Sequence, residues 1–279
     1  MNSSIFVKNT RSSETPTSNL ANDLYGEMLN KVPGISLVFW IIKILSTTVG
    51  ETGADYLAVH VGLGTSITGG IMIALLFSAL VLQLRARRYI PWIYWLTVVL
   101  VSVVGTQITD ALTDGLGISL YASTSAFALA LAAIFAGWYW RERTLSIHTI
   151  TSRRRELFYW AAILFTFALG TAAGDLATEV IGLGFRLGVL TFGGLIALIA
   201  IAHRMGANSV LAFWLAYILT RPLGASLGDL LSQSSAYGGL GMGTINTSLV
   251  FLAVIVALVA LVTFVPMERS TTRSIATNA

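Results

Sequence analysis

Residues 39–55 read FWIIKILSTTVGETGAD, an aromatic–Trp pair followed by a glycine and then by an aspartate. The same set returns three more times, always with Trp 15 residues before Asp and Gly 5 residues before it. Chance does not give this register four times, so we expect a fourfold internal repeat. The four sets are Phe39, Trp40, Gly50 and Asp55; Tyr94, Trp95, Gly105 and Asp110; Tyr159, Trp160, Gly170 and Asp175; and Phe213, Trp214, Gly224 and Asp229.

The composition indicates an integral membrane protein. Hydrophobic residues make up 55% of the chain, charged residues only 11%, and the mean hydropathy is +0.78. Soluble domains carry roughly 25% charged residues. The absence of cysteine excludes disulfides, thiolate metal sites and thiol catalysis. The net charge of +4 is interpreted as basic residues lining one membrane face, so the expected partner is a lipid bilayer and not nucleic acid.

Each repeat contains two apolar spans, which predicts an all-α polytopic membrane protein with eight transmembrane helices in a pseudo-fourfold arrangement. The second span of each repeat is close to the roughly 20 residues that a bilayer requires. The first span is longer and carries the shared Asp. The repeats cover about 33–88, 89–150, 151–206 and 207–266, and the flanking segments 1–32 and 267–279 are predicted to be disordered cytoplasmic tails.

Glycines punctuate each repeat at two places. The Gly five residues before each Asp is interpreted as a break point in the long span. A Gly-Leu-Gly sequence then follows each Asp and predicts a tight turn between the two helices, because glycine permits the left-handed cap that ends a helix. The four turns are expected at residues 62–64, 115–117, 182–184 and 239–241.

The distribution of Lys and Arg predicts the orientation. Fourteen of the 17 basic residues lie in the tails or in the loops that join one repeat to the next. The positive-inside rule therefore places both termini and these loops in the cytoplasm, and the Gly-Leu-Gly turns on the outside of a bacterial inner membrane. All four repeats then share one orientation, around an axis normal to the membrane.

The long spans hold seven acidic residues against two basic ones, Lys43 and Arg221, which are the candidate counter-ions. Internal pairing cannot neutralise all seven, so some carboxyls must be protonated, reach water or bind a cation. An oxygen-only site for a divalent or monovalent cation would be completed by neutral side-chain oxygens on the same spans, at Thr47, Thr48, Thr52, Thr106, Gln107, Thr109, Thr171 and Ser226. The candidate ion- or proton-binding residues are Asp55, Asp110, Asp175 and Asp229, followed by Glu51, Asp114 and Glu179.

A structural interpretation of these residues stays open beside the functional one. A repeated Asp near a helix end can hydrogen-bond a neighbouring backbone or pair with a basic residue. The repeat glycines, Gly50, Gly105, Gly170 and Gly224, are expected to let helices approach closely, with a hinge as the alternative. The repeat tryptophans, Trp40, Trp95, Trp160 and Trp214, are expected to anchor an interface or fill gaps between helices, with substrate stacking as the alternative.

Four tandem repeats, each with two apolar spans and the shared Trp, resemble the bacterial membrane family built on a repeat of unknown function (domain of unknown function 347). The resemblance covers residues 33–266. It implies a bacterial membrane protein but no stated activity, and it carries over no functional residue beyond the repeated Trp. The fourth repeat departs from the others by Pro222 and by the lack of a second acid, so an asymmetric site is expected.

The sequence therefore predicts a small transporter or channel for cations, with a central cluster of carboxylates as ligands or proton carriers. Two alternatives remain: a non-transporting membrane sensor or scaffold, and a transporter of a small organic cation. An enzyme is not predicted, because no nucleophile–base set is visible. No cofactor is expected apart from a cation held by the carboxylates.

Overall fold

The computed structural model describes residues 30–60 and 65–264, leaving aside the side chains of residues 54–60 and 65. Within these residues the chain is helical throughout, with eight long helices and no strand, which confirms the all-α prediction. The long helices are α1 (Leu37–His60), α2 (Thr65–Arg85), α3 (Pro91–Asp110), α4 (Leu120–Glu142), α5 (Arg153–Asp175), α6 (Gly184–Arg204), α7 (Ser209–Ser232) and α8 (Thr244–Phe264).

Seven of these helices, α2 to α8, are long and apolar enough to cross a membrane. They fall into two groups by burial. In the apolar windows of α3, α5 and α7, between 61% and 72% of residues are buried, against 11–22% in α2, α4, α6 and α8. The second group is apolar all round, as expected of helices that face lipid. The chain is therefore a multi-pass membrane protein with an inner and an outer set of helices.

The inner helices, α1, α3, α5 and α7, form a closed ring. Each packs against the inner helix before it and the one after it, and α7 closes the ring onto α1. The outer helices, α2, α4, α6 and α8, each pack against the inner helix of the following repeat. Thus α8 covers α1, where Ser248 Oγ donates to Thr52 Oγ1 at 2.6 Å. Every repeat is held by its neighbours, and the last repeat by the first.

Local signals set where the inner helices begin. Pro91 stands in the first turn of α3, where its missing N–H costs nothing. Ser152 caps α5 by accepting from the Arg155 N–H, and Asn208 caps α7 through its side-chain oxygen. These caps start each inner helix a few residues before its Trp, which places the repeated positions at corresponding heights.

The predicted break at the repeat glycines is wrong for α3, α5 and α7, since each of these helices runs unbroken through its glycine. The irregularity comes later. A π-helical turn follows directly after Asp110, at Ala111–Gly115, and after Asp175, at Leu176–Val180. In α7 the α-helix continues to Ser232 despite the internal Pro222. In α3 and α5 the backbone therefore changes its winding directly after the shared aspartate.

The Gly-Leu-Gly turns are confirmed where they are described. Left-handed backbone occurs at Gly117 (φ 67°), at Gly182 (φ 79°) and Gly184 (φ 67°), and at Gly241 (φ 76°). These are conformations that favour glycine because it has no Cβ. The first turn, residues 62–64, lies outside the described part of the chain.

Residues 30–32 pack against the end of the ring at which the inner helices begin, so the packed part of the chain starts before residue 33. Lys31 Nζ lies 2.7 Å from a carboxylate oxygen of Glu156, which is fully buried. The other oxygen of Glu156 accepts from Gln83 Nε2 at 3.2 Å. This buried group joins the N-terminal segment to α2 and α5, a contact that links residues 125 positions apart.

Candidate functional site

Corresponding residues of the four repeats lie at corresponding heights around the ring. Each repeat glycine, ten residues after its Trp, closely approaches the residue that stands seven after Trp in the next inner helix. A Cβ at Gly105 would lie 2.7 Å from Phe167 Cβ, closer than side chains tolerate. Cβ atoms at the other three glycines would overlap Ser102 (from Gly50), Arg221 (from Gly170) and Thr47 (from Gly224).

Aromatic residues fill the ring at the end where the inner helices begin. Each repeat Trp packs on the aromatic residue that directly precedes the Trp of the repeat before it. The centroid distances are 5.6 Å for Trp95–Phe39, 5.5 Å for Trp160–Tyr94, 6.3 Å for Trp214–Tyr159 and 5.7 Å for Trp40–Phe213. Such ring pairs contribute about 0.5–1.5 kcal/mol beyond their buried area. The tryptophans therefore join consecutive repeats.

The four residues that precede the tryptophans, Phe39, Tyr94, Tyr159 and Phe213, are called the aromatic closure. All four are buried. Two of the rings stack, and their hydroxyl oxygens, on Tyr94 and Tyr159, lie 2.5 Å apart. The other two, Phe39 and Phe213, have centroids 6.2 Å apart. The closure therefore fills this end of the ring with two pairs of aromatic rings.

Lys43 lies one turn further along α1 than the aromatic closure and is completely buried. Its ammonium nitrogen sits 4.1 Å from the centroid of the Phe167 ring and 4.2 Å from that of Tyr217. Among the described residues it has no hydrogen-bond partner and no carboxylate partner. Cation–π contacts contribute about 2 kcal/mol when desolvated, far less than the cost of burying an isolated charge. Keeping a charged Lys43 side chain at this place therefore costs stability.

Arg221 lies one turn deeper still and is also completely buried, but its guanidinium is well satisfied. Nη2 donates to Glu51 Oε2 at 2.6 Å and to Thr171 Oγ1 at 2.8 Å, and it also contacts Thr106 Oγ1. Nε donates to Thr171 Oγ1 at 3.1 Å, and Nη1 to the Thr47 carbonyl at 2.8 Å. Four acceptors from three helices therefore surround one guanidinium.

Three of those acceptors occupy the same repeat position. Glu51, Thr106 and Thr171 each stand 11 residues after their Trp, and the fourth repeat has Ala225 there. These four residues are called the acceptor layer. The small side chain of Ala225, one turn after Arg221 on the same helix, offers no polar group of its own. The guanidinium from the fourth repeat is thus held by the acceptor layer of the other three.

Acidic residues surround the opposite end of the ring. Asp110, Asp175 and Asp229 are half-buried, whereas Asp114 and Glu179 are exposed. These five are called the acidic mouth. Asp175 interacts electrostatically with Asp110, Asp229, Glu179 and the deeper Glu51. The side chain of Asp55 lies outside the described part of the chain.

The predicted central cluster of carboxylates is not seen. Among the described residues, no group of three or more Asp, Glu, His or Cys side chains could hold a metal ion. One reason is the register: Glu51 stands four residues before the shared Asp of its repeat, whereas Asp114 and Glu179 stand four residues after theirs. Glu51 therefore lies about 6 Å deeper in the ring than the shared aspartates, since four helical residues rise about 6 Å. At that depth it is paired with Arg221.

The sequence interpretation missed the aromatic closure and the surroundings of Lys43. The sequence contains a signal for both features. An aromatic residue precedes every repeat Trp, and Phe167 and Tyr217 are the single aromatic residues at positions seven and three after Trp. The Lys31–Glu156 pair could not be predicted, since no spacing connects its members. Of the candidate counter-ions, Arg221 pairs with a carboxylate in the structure, whereas Lys43 contacts aromatic rings.

Comparison with known proteins identifies the repeat. A family model described as "Repeat of Unknown Function (DUF347)" matches four times, at residues 38–89, 93–144, 158–206 and 212–266. The predicted fourfold repeat is thereby confirmed. No curated protein and no solved structure matches the chain.

Proposed function

Since the chain belongs to the DUF347 repeat family, whose description states no activity, we propose a function from its geometry: a membrane transporter that carries a small cation between the acidic mouth and a buried acceptor at Glu51. The role is transport and not a catalysed reaction. The cation binds one deep carboxylate, Glu51, instead of a cluster of carboxylates. Arg221 already pairs with Glu51 and competes with the cation for it.

The observation that carries the proposal is the graded arrangement along the ring axis. Exposed acids come first, then half-buried acids, and then the buried Glu51–Arg221 pair. The aromatic closure lies beyond it. The aromatic closure and the acceptor layer are 12 residues apart along each inner helix, which corresponds to a distance of about 18 Å. A cation attracted into the mouth thus meets a single buried carboxylate and a sealed end, which favours a transporter with one-sided access over an open channel.

Arg221 promotes release of the transported cation from Glu51. A cation that binds Glu51 must displace the Arg221 contact of 2.6 Å. The guanidinium keeps its bonds to the Thr47 carbonyl and to Thr171 meanwhile. Two positive charges then lie near one carboxylate, with Lys43 in the same core. Repulsion at low dielectric keeps the occupancy short and returns Arg221 to Glu51.

One deep carboxylate and neutral hydroxyls suit a monovalent cation. Divalent ions such as Ca²⁺ take six to eight oxygen ligands, commonly with several carboxylates. The acceptor layer offers one carboxylate, two hydroxyls and no fourth polar side chain. We therefore place protons, sodium-sized ions and small organic cations ahead of divalent metals as the transported species.

We also propose that α1 spans the membrane with the other seven helices, in a pseudo-fourfold arrangement of eight spans. The cyclic packing of the inner helices supports it, because α1 is one of the four ring members. Clustered arginines at the loops after α2 and α4 support cytoplasmic termini in a bacterial inner membrane, with the acidic mouth outside.

The test is cation flux in liposomes containing the purified protein. Sodium, potassium, magnesium, protons and small amines are offered one at a time, and uptake is compared among wild type, Glu51→Gln and Glu142→Gln. Glu142 is the matched control, because it pairs with Arg154 and Arg155 away from the ring axis. Wild type and Glu142→Gln should carry one cation class, and Glu51→Gln should not. Flux at the level of empty liposomes for every cation would reject transport and favour the sensor or scaffold alternative.

A further inference from the structure

We infer that the acceptors around Arg221 form a receptor for a guanidinium group, and that the cation carried by this protein belongs to the guanidinium class. The second half rests on the proposed transport function; the first half does not. The guanidinium of Arg221 occupies this receptor in the structure and thereby shows which chemical group the surrounding acceptors bind.

The acceptors match a guanidinium in both chemistry and direction. Arg221 has five N–H donors in one plane, and they meet a carboxylate, two threonine hydroxyls and a main-chain carbonyl. Glu51 is 7% exposed, and Thr47, Thr106 and Thr171 are 1% exposed or less. The aromatic ring of Phe167 lies 5.8 Å from the guanidinium carbon. A planar cation with donors on several edges therefore meets four buried acceptors here.

Other small cations fit the same groups less well. Glu51, Thr106 and Thr171 converge on Nη2, whereas the Thr47 carbonyl accepts from Nη1, so a spherical ion held at one point does not reach all four acceptors. An ammonium has donors that point away from a plane and lacks the fork that meets several acceptors at once. Recognition by a buried set of acceptors is selective, because a ligand that leaves one of them unpaired incurs its desolvation cost.

The occupant and the receptor come from different repeats. The receptor side chains are the acceptor-layer residues of repeats one to three, and the guanidinium belongs to repeat four. Arg221 thus acts as a tethered ligand that an incoming solute must displace. A receptor that is occupied by its own side chain binds an outside ligand more weakly, in proportion to the fraction of time for which it is free. Shortening the tethered side chain should therefore tighten binding of free guanidinium by about tenfold or more.

The experiment measures binding of radiolabelled guanidinium to the purified full-length protein in detergent, at millimolar concentrations far below those that denature proteins. Wild type is compared with Arg221→Ala and with Arg221→Ala combined with Glu51→Gln. Unlabelled sodium and urea serve as competitors; urea has a similar planar shape without the charge. Thermal stability of the same samples is recorded with each ligand.

We expect weak binding to wild type, binding about tenfold tighter to Arg221→Ala, and loss of that binding in the double variant. Guanidinium, but not sodium or urea, should raise the melting temperature of Arg221→Ala. Should Arg221→Ala fail to fold, Thr106→Val combined with Thr171→Val keeps the ion pair and is expected to weaken guanidinium binding to the protein.

Three results would overturn the inference: equal stabilisation of Arg221→Ala by sodium, no guanidinium binding by any folded variant, or guanidinium binding to Arg221→Ala that is unchanged when Glu51→Gln is added. Sodium-selective binding would leave the proposed cation transport intact while removing the guanidinium class. Guanidinium binding without flux of any cation in liposomes would establish the receptor and reject the transported class.

Discussion

Arg221 Nη2 donates to Glu51 Oε2 at 2.6 Å, although the two residues are 170 positions apart and belong to the fourth and first repeats. Both side chains are buried. The bond crosses the place where α7 closes the ring onto α1, so it joins the two ends of the repeat array. The same contact that forms the candidate site also fastens the ring.

Glu51→Gln should destabilise the protein by about 3–5 kcal/mol, because it leaves the buried guanidinium without its carboxylate. The measurement is thermal unfolding of the purified protein in detergent. Glu142→Gln, which breaks the peripheral pairs with Arg154 and Arg155, should lower the stability much less. An equal loss of stability in the two variants would show that the Glu51–Arg221 pair stabilises the protein no more than a peripheral ion pair does.

Lysine should not replace Arg221, because an ammonium donates from one nitrogen and lacks the planar fork that reaches all four acceptors. We expect a loss of stability comparable to that of Glu51→Gln and a similar loss of cation flux. Near-normal stability and flux with lysine would mean that only the positive charge matters at this position, and it would count against the guanidinium receptor.

Lys43→Met should raise the stability of the protein, by about 1–4 kcal/mol, because a buried cation without a carboxylate partner is replaced by an apolar chain between two rings. Lys31→Met is the matched control. Lys31 is also buried but pairs with Glu156 at 2.7 Å, so its loss should be destabilising. Melting temperatures lowered to the same extent by both substitutions would show that the buried Lys43 does not destabilise the protein.

Gly170→Ala should cost about 1–3 kcal/mol, because a Cβ there would overlap the Arg221 side chain and force the helices apart. Gly194→Ala, in the outer helix α6, has open space and should be neutral or stabilising by about 0.5–1 kcal/mol. Thermal unfolding of the two variants compares them directly. A harmless Gly170→Ala would contradict the close contact between α5 and α7.

Tyr94→Ala should make liposomes leak small ions, because it removes one ring of the aromatic closure and its hydroxyl contact with Tyr159. Tyr121→Ala, at a residue 59% exposed on the outer helix α4, should leave them tight. Leak is read as the decay of an imposed ion gradient. Vesicles that remain tight with Tyr94→Ala would place the barrier elsewhere along the ring.

Much of the architecture could be predicted from the repeat. The register of Trp, Gly and Asp identifies four equivalent units, and their apolar spans give the helices. The glycines illustrate the limit of such reasoning: a helix interior glycine is compatible with a break or with a close contact, and only the position of Ser102 against Gly50, or Arg221 against Gly170, decides for contact.

The site was harder to predict, because its key residues are departures from the repeat. Arg221 replaces what is Thr47, Ser102 or Phe167 in the other repeats, and a single-sequence pattern gives no partner for it. The sequence interpretation grouped Glu51 with Asp114 and Glu179 as the second set of candidate ion-binding residues. Counting from Trp instead aligns Glu51 with Thr106 and Thr171, and this alignment corresponds to the observed contacts.

The most direct test of the central claim, that the Glu51–Arg221 pair is reached from the acidic mouth and sealed at the other end, is side-specific thiol labelling. The chain has no cysteine, so a single Thr106→Cys variant has no background. A small membrane-impermeant thiol reagent is applied to one side of the membrane at a time. Asp114→Cys at the mouth is the accessible control, and Ser78→Cys on the exposed face of α2 is the lipid-facing control.

We predict that Thr106→Cys reacts from the side that labels Asp114→Cys, that the transported cation slows the reaction, and that the opposite side gives no labelling. Labelling of Thr106→Cys only from the opposite side, or equally from both sides, would contradict the account.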